Sequence, residues 1–257
     1  VDKPIVSVIM PTHNDVKYLT RAIDSVISQS FKEWELLVVD DGSTDETPDV
    51  IASYCKKDER IKPFRIEKAS GSPTKPRNIG IENATGRYIA FLDSDDVWLP
   101  TKLERQIATF EKHEDAAIVF SYYNTINEQG LMMNKPVVSP ATTDYKQLLK
   151  GNVIGCLTAV YDTQKTGKLY FPYCGHEDYV VWLSILKQNW KAYNTNSIEA
   201  KYQLKKSSVS SNKLRAMHWQ WNIYRNIEKI GFLKSMYYFV NYAFKAVYKR
   251  KNRLERL

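Results

Sequence analysis

Cysteine is scarce in this chain of 257 residues: Cys55, Cys156 and Cys174 are the full set, with no Cys-x-x-Cys pair and no metal-ligand spacing. An odd, scattered set argues against a disulfide framework or a thiolate zinc site and fits three reduced thiols used in packing. Histidine is as sparse. His13, His113, His176 and His218 are too dispersed for a zinc site or a Ser-His-Asp triad. His13 and His176 border the loops singled out below, whereas His113 and His218 read as ordinary surface or core residues. Long apolar runs are missing too. Val8-Ile9-Met10 and Leu36 to Val39 are the best examples, far short of the roughly 20 residues that span a bilayer. No basic region followed by an apolar stretch and a small-residue cleavage site is seen, so the expected compartment is the cytoplasm, with no membrane-spanning helix.

Acidic residues nearly vanish from the C-terminal fifth. From Lys201 onward 14 Lys and Arg face only Glu228 and Glu255, so the overall charge of +8 leaves the first 200 residues at a net −4. Such a tail suits nucleic acid, an anionic membrane or a phosphorylated ligand, and its partner need not be that of the rest of the chain. The length and an ordinary apolar content of 43% allow one α/β unit, or a domain plus an appendage.

Ile5 to Met10 reads as a strand ending at Pro11, and Asn14 then precedes Val16, Leu19, Ile23, Val26 and Ile27 at helical spacing. Glu35 to Val39 reads as a second strand that stops at Asp40-Asp41-Gly42, and Ser43 with Glu46 predicts a capping box opening the next helix. Ile61 to Ile66, Pro76 to Asn83 and Tyr88 to Leu92 continue as strand, helix and strand, followed by a helix over Thr101 to His113 and a strand over Ala117 to Ser121. A hairpin is expected around Asn127 to Gly130, a helix over Glu177 to Gln188, and two more helices from about residue 212. Strands alternating with helices imply right-handed crossovers and a mostly parallel, in part mixed, sheet covered on both faces.

In such a sheet the loops leaving the C-terminal strand ends open onto one edge. Pro11-Thr12-His13-Asn14, Asp40-Asp41-Gly42-Ser43 and Asp93-Ser94-Asp95-Asp96 therefore converge. Several carboxylates in one cleft raise each other's pKa unless something positive neutralises them. A divalent cation bridging to a nucleotide fits, because Mg²⁺ or Mn²⁺ takes one or two carboxylates plus phosphate oxygens and water, and Asp93-Ser94-Asp95 offers them.

Val6 to Asn14, Val39 to Asp45, Pro76 to Ile81, Ala90 to Asp96 and Glu177-Asp178 occur in the order seen in glycosyltransferase family 2, which the chain resembles from Pro4 to about Gln188. The resemblance implies an α/β GT-A (Rossmann-like) fold, a nucleotide-sugar donor, usually a UDP-sugar, and inversion at the anomeric carbon. By position it makes Asp41 the nucleobase carboxylate, accepting the uracil N3–H in a charge-assisted bond. Pro11 and Thr12 would line base and ribose, with Asn14 and Ser94 in the same nucleotide-binding set. Arg77 would reach the diphosphate, although Pro76 stands where the family has Ala. Asp93 would sit near the ribose and the metal, Asp95 would ligate the cation directly, and Asp178 would be the base that activates the acceptor hydroxyl. The expected division is a catalytic domain over residues 1–210, with a donor half (1–98) and an acceptor half (99–210), then basic aromatic helices over 211–257.

Two departures bear on mechanism. Where many relatives carry a His that reaches the metal or diphosphate, this chain has Lys205, which cannot ligate a cation but can contact phosphate as a point charge. The Gln-x-x-Arg-Trp block of processive synthases is absent, so one sugar per encounter is expected. Two other classes stay open. A nucleotidyltransferase would also use acidic residues and Mg²⁺, but resemblance to that class calls for a Gly-rich first loop, and Pro11 to Asn14 has no glycine. A nucleic-acid-binding module would use the basic, aromatic tail. The favoured expectation is a hexosyltransferase of O-antigen or capsule assembly, with a polyprenyl-diphosphate-linked acceptor and no nucleic acid. Rings such as Trp219, Phe232 and Tyr237 among basic residues would rest peripherally on the anionic inner face of the plasma membrane.

Overall fold

A computed structural model of the chain describes residues 4–133, 135–204 and 213–254. Three βα repeats and a fourth strand open it: β1 (Val6–Thr12), α1 (Val16–Ile27), β2 (Trp34–Asp41), α2 (Thr47–Cys55), β3 (Ile61–Ile66), α3 (Thr74–Asn83) and β4 (Tyr88–Phe91). These four strands pair in parallel in the order β3-β2-β1-β4. The registers Pro11↔Val39 and Ile9↔Phe91 set the three acidic or polar loops side by side at one sheet edge.

The second half is mixed, as the weakening periodicity suggests. It runs β5 (Val97–Trp98), α4 (Lys102–Lys112), β6 (Ala116–Ile126), β7 (Thr142–Thr143), α5 (Tyr145–Leu148), β8 (Val160–Asp162), α6 (Thr163–Thr166), α7 (Glu177–Leu186) and β9 (Lys191–Gln203). β8 is antiparallel to both β4 and β6, and β6 runs parallel to β9. β6 extends five residues past the expected end because its pairing with β9 continues to Ile126↔Gln203. The turn at Asn127 to Gly130 forms, closed by Gly130 N–H donating to Asn127 O at 2.9 Å and flanked by the antiparallel bridge Ile126↔Met132.

Period-two strands divide the core. Val6, Val8 and Met10 of β1 face α1 residues such as Leu19 and Ile23, while Ile9 faces Ile81, Phe91 and Trp182 on the other side. Two more helices, α8 (Lys213–Asn222) and α9 (Phe232–Leu254), are joined by one π-helical turn, Ile223–Ile227. Ile223 and Tyr224 of that turn are fully buried in the second core with Tyr179 and Trp182 of α7. Tyr224 Oη donates to Leu149 O at 2.5 Å and Tyr145 Oη to Glu228 Oε2 at 2.6 Å. The C-terminal segment is thus cemented onto the catalytic unit.

One local expectation fails. Ser43 and Glu46 do not form a capping box, and α2 starts at Thr47 with no side-chain cap from Glu46. Ser43 is already committed: its hydroxyl accepts from Asn14 N–H at 2.9 Å and its own N–H donates to Asp40 Oδ1 at 3.0 Å. Asp45 takes over, its Oδ1 accepting from Thr47 N–H at 3.0 Å. α3 opens at Thr74, two residues before Pro76, which lies in the first turn where a missing N–H leaves no bond unmade.

Candidate active site

The β2–α2 loop holds Asp41, nearly buried, with both carboxylate oxygens accepting from Ser70: N–H at 2.9 and 3.1 Å and Oγ–H at 2.7 Å. Gly42 makes the approach possible. It adopts φ +68°, and a Cβ there would fall 2.6 Å from Ala69 N. Ser70 is 29 residues downstream of Asp41, and nothing in its sequence surroundings flags it. On the neighbouring loop Thr12 is buried with an Oγ1 that has no protein partner, and Pro11 beside it is buried as well. His13 Nδ1 lies 2.8 Å from Asp41 O. Asn14, at φ 49°, accepts Thr44 N–H on its Oδ1 at 2.8 Å, so its side chain ties the two loops together.

The loop after β4 is anchored residue by residue. Asp93 takes Arg77 Nη2 on both oxygens at 2.7 and 3.0 Å. Ser94 Oγ donates to Asp15 Oδ2 at 2.5 Å. The Asp95 carbonyl accepts from Arg21 Nη2 at 3.0 Å, and Arg21 also donates to Gln203 Oε1. Buried Asp96 accepts Gln203 N–H on Oδ1 at 2.8 Å. Arg21 had no signal in the sequence, where it reads as a polar face of α1. Lys205 lies outside the described residues.

Arg77 links the loop after β4 to the start of α7. Its buried guanidinium reaches Asp93 with Nη2 and Glu177 Oε1 with Nη1 at 3.0 Å, above the Phe171 ring at 5.4 Å, and its Nε has no protein partner. Burial penalises that charge, yet Asp93 and Glu177 push the pKa above the ordinary arginine value. Next in the chain, Asp178 is half-buried at the start of α7. Burial, then the adjacent Glu177, push its carboxyl up to about 6, against the Tyr179 N–H at 2.8 Å and Asn152 Nδ2 at 3.4 Å that favour the ionised form. Cys156 stands within electrostatic reach of Arg77, Asp178, Asp93 and Glu177, and burial pushes its thiol well up. A carboxylate with an affinity near 6 beside fixed charges can exchange a proton at neutral pH. Among the described residues no cluster of three or more His, Cys, Asp or Glu could hold a metal unaided.

The half-parallel sheet with carboxylates at its strand ends has the GT-A fold of solved transferase structures. A solved structure of S. aureus TarS 1–349 in complex with UDP-GlcNAc matches with a TM-score of 0.72 over 93% of this chain and 71% of that one, at 22% identity. The mannosyltransferase PcManGT from Pyrobaculum calidifontis, solved with GDP-Man and Mn²⁺, matches with a TM-score of 0.68 over 92% and 70%, at 16% identity. The profile of glycosyl transferase family 2 matches residues 7–162, and the chain belongs to that family. It is 41% identical over 249 residues to TuaG of Bacillus subtilis (strain 168), named as a teichuronic acid biosynthesis glycosyltransferase, with 96% of this chain and 98% of that one covered. It is 39% identical over 243 residues to WfgD of Escherichia coli, a UDP-Glc:α-D-GlcNAc-diphosphoundecaprenol β-1,3-glucosyltransferase, with 94% and 93% covered. The protein is a glycosyltransferase.

Proposed function

We propose that the enzyme transfers one hexose, glucose or galactose, from its UDP derivative to a sugar carried on a polyprenyl diphosphate, with inversion, in bacterial surface polysaccharide assembly. The activity named for WfgD and the teichuronic acid role named for TuaG support the substrate classes. The observation that carries the chemistry is the raised Asp178 carboxyl beside the Arg77–Glu177 pair. Asp178 takes the acceptor hydroxyl's proton as that oxygen attacks the anomeric carbon from the face opposite the leaving diphosphate. Asp41 receives the uracil N3–H. Its three contacts from Ser70 orient the carboxylate and leave acceptor capacity, since two oxygens offer about four lone-pair sites. Pro11 and Thr12 line base and ribose, and the unpartnered Thr12 Oγ1 supports a ligand contact there. Arg77 bridges Asp93 and Glu177, with its unpartnered Nε–H left for a diphosphate oxygen.

The donor set fits a divalent cation, Mg²⁺ or Mn²⁺, held by Asp95 with a share of Asp93. Arg77 already occupies both Asp93 oxygens, so Asp95 is the principal ligand, and phosphate oxygens and water complete a shell that the protein alone does not. When bound, the cation supplies Lewis-acid neutralisation of the leaving diphosphate. Asn14 and Ser94 serve by holding the loops in register.

The acceptor's lipid places the enzyme on the inner face of the plasma membrane. Phe232, Leu233, Met236, Tyr237, Val240 and Phe244 of α9 are exposed, Leu233 at 83% and Phe244 at 72%, in a segment rich in Lys and Arg. No described helix is long and apolar enough to cross a membrane. An amphipathic helix with this composition lies in the interface. The deciding experiment supplies purified protein and Mn²⁺ with UDP-Glc, UDP-Gal and UDP-GlcNAc against GlcNAc-diphosphoundecaprenol and free GlcNAc. The expected result is transfer of one hexose to the lipid-linked sugar, and equal or better transfer to free GlcNAc would overturn the acceptor assignment.

A further inference from the structure

Gly175 and His176 immediately precede the Glu177-Asp178 pair, and both are gripped by α8. A Cβ on Gly175 would fall 1.9 Å from Trp219 Cδ2 and 2.2 Å from Cγ, so the indole lies against the bare α-carbon. The His176 ring meets the same indole edge to face, with centroids 5.4 Å apart at 85°. The Ala216 backbone, one turn earlier in α8, also acts on the His176 imidazole, whose Nε2 has no protein partner. Its own backbone is left-handed, φ 58° and ψ 46°, a conformation that costs energy for any residue with a side chain and persists only where surroundings hold it. The grip is itself braced: α8 runs into the turn whose Ile223 and Tyr224 are fully buried against α7, and Trp221 packs edge to face on Phe232 and Phe239 of α9.

We infer that Trp219 is a positioning residue for the acceptor-activating step: by clamping the Gly175–His176 turn it fixes where Asp178 stands relative to Arg77 and Glu177. The inference rests on Asp178 being the base. It makes α8, which lies wholly outside the matched family segment of residues 7–162, an essential wall of the active site. Base recognition is independent of the clamp, because Asp41, Ser70 and the Asp95–Asp96 part of the loop draw their contacts from other elements, and Asp93 keeps both its Arg77 bonds if Glu177 moves. A shift of about 1 Å in a reacting group costs on the order of 100-fold in rate, so a loosened turn shows in kcat and not in nucleotide affinity.

The experiment compares wild type with Trp219→Ala, Trp219→Phe, Gly175→Ala and Asp178→Asn, and with His218→Ala as an exposed control on α8. It measures UDP affinity, donor KM, kcat for UDP-Glc with GlcNAc-diphosphoundecaprenol, and the acid limb of the kcat profile. Trp219→Ala and Gly175→Ala are expected to lower kcat about 10- to 100-fold, with UDP affinity and donor KM within about twofold. The acid limb should move to lower pH as water reaches Asp178, whose elevation comes first from burial. Trp219→Phe should restore most of kcat, and His218→Ala should match wild type. Unchanged kcat in both Trp219→Ala and Gly175→Ala would overturn the clamp, as would a parallel fall of kcat and UDP affinity, which marks general damage. Near-normal transfer by Asp178→Asn would instead remove the base assignment beneath it.

Discussion

Replacing Asp178 by Asn should make the protein more stable while abolishing its chemistry. Burial and Glu177 raise the folded-state pKa from 3.8 to about 6. Between those values the folded chain holds a proton that the unfolded chain has released, so stability falls as pH rises through that window and the loss is complete above the folded pKa. The shift corresponds to roughly 3 kcal/mol at neutral pH, since one pKa unit is about 1.4 kcal/mol. An amide removes the ionisation and keeps the stronger contact, Tyr179 N–H at 2.8 Å, at the expense of the 3.4 Å contact from Asn152. A net gain of about 1 to 3 kcal/mol is expected at pH 7.5, equivalent to about 2 to 4 °C in Tm per kcal/mol for a chain of this size. Denaturant titrations at pH 7.5 and pH 4 check it, because the difference between variant and wild type should shrink toward zero at the lower pH. Transfer should fall about 10²- to 10⁴-fold, the usual worth of a general base. A variant no more stable than wild type at pH 7.5, or equally stabilised at both pH values, would refute the electrostatic account.

Asp41→Ala should weaken UDP binding at least about tenfold by leaving the uracil N3–H unpaired; equal calorimetric affinities of the unmodified protein for UDP, GDP and CDP would remove Asp41 from base recognition. Asp95→Ala should lose most transfer and chelator should silence the wild type, whereas full activity in excess chelator would show that Arg77 and Lys205 suffice. Buried Lys102, lowered to about 7 by burial, sits over the Trp98 ring with one acceptor, Gln106 Oε1. The unfolded chain binds the extra proton between about 7 and 10.5, so stability rises with pH across that range. Lys102→Met should therefore gain about 1 to 3 kcal/mol at pH 7, net of the orphaned Gln106 oxygen, and the gain should shrink by pH 10 in denaturant titrations. Vesicles containing anionic lipid should sediment the protein at low salt and release it at high salt, and no binding at low salt would end the interfacial reading of α9.

The N-terminal half was legible because its signals are local. Short runs buried on both faces, such as Val6 to Met10 and Leu36 to Val39, announce strands, and carboxylates at strand ends announce a cleft, whatever the rest of the chain does. Its supports were not legible, because they arrive from far along the chain. Ser70 reaches Asp41 across 29 residues, Arg21 reaches Asp95 across 74, and Asn152 reaches Asp178 across 26. Ser43 illustrates the converse failure: a local capping pattern lost to Asn14, whose own placement depends on a neighbouring strand. The tail's aromatic and basic content was visible, but the same pattern serves a core and an interface alike. Only the packing separates Tyr224, fully buried, from Phe244, exposed.

The cluster around Arg77 joins two requirements that look separate. Three carboxylates, Asp93, Glu177 and Asp178, surround one buried guanidinium, and its hydrogen bonds are spent on the first two. Asp178 feels that cation only through space, more weakly than it feels burial and Glu177, so it is the member that keeps its proton to about 6. A diphosphate entering beside Asp93 adds negative charge to a site already two charges in excess, and that drives the Asp178 proton affinity further up. A divalent cation, if held by Asp95 as proposed, would reverse the change, because opposite charge nearby favours the ionised carboxylate. On the proposed assignments a bound cation would have a second effect besides offsetting the leaving group: it would keep Asp178 ionised when the donor is bound. Metal dependence and the acid limb of transfer would then share one electrostatic origin, and a single ammonium such as that of Lys205 could replace only part of that charge.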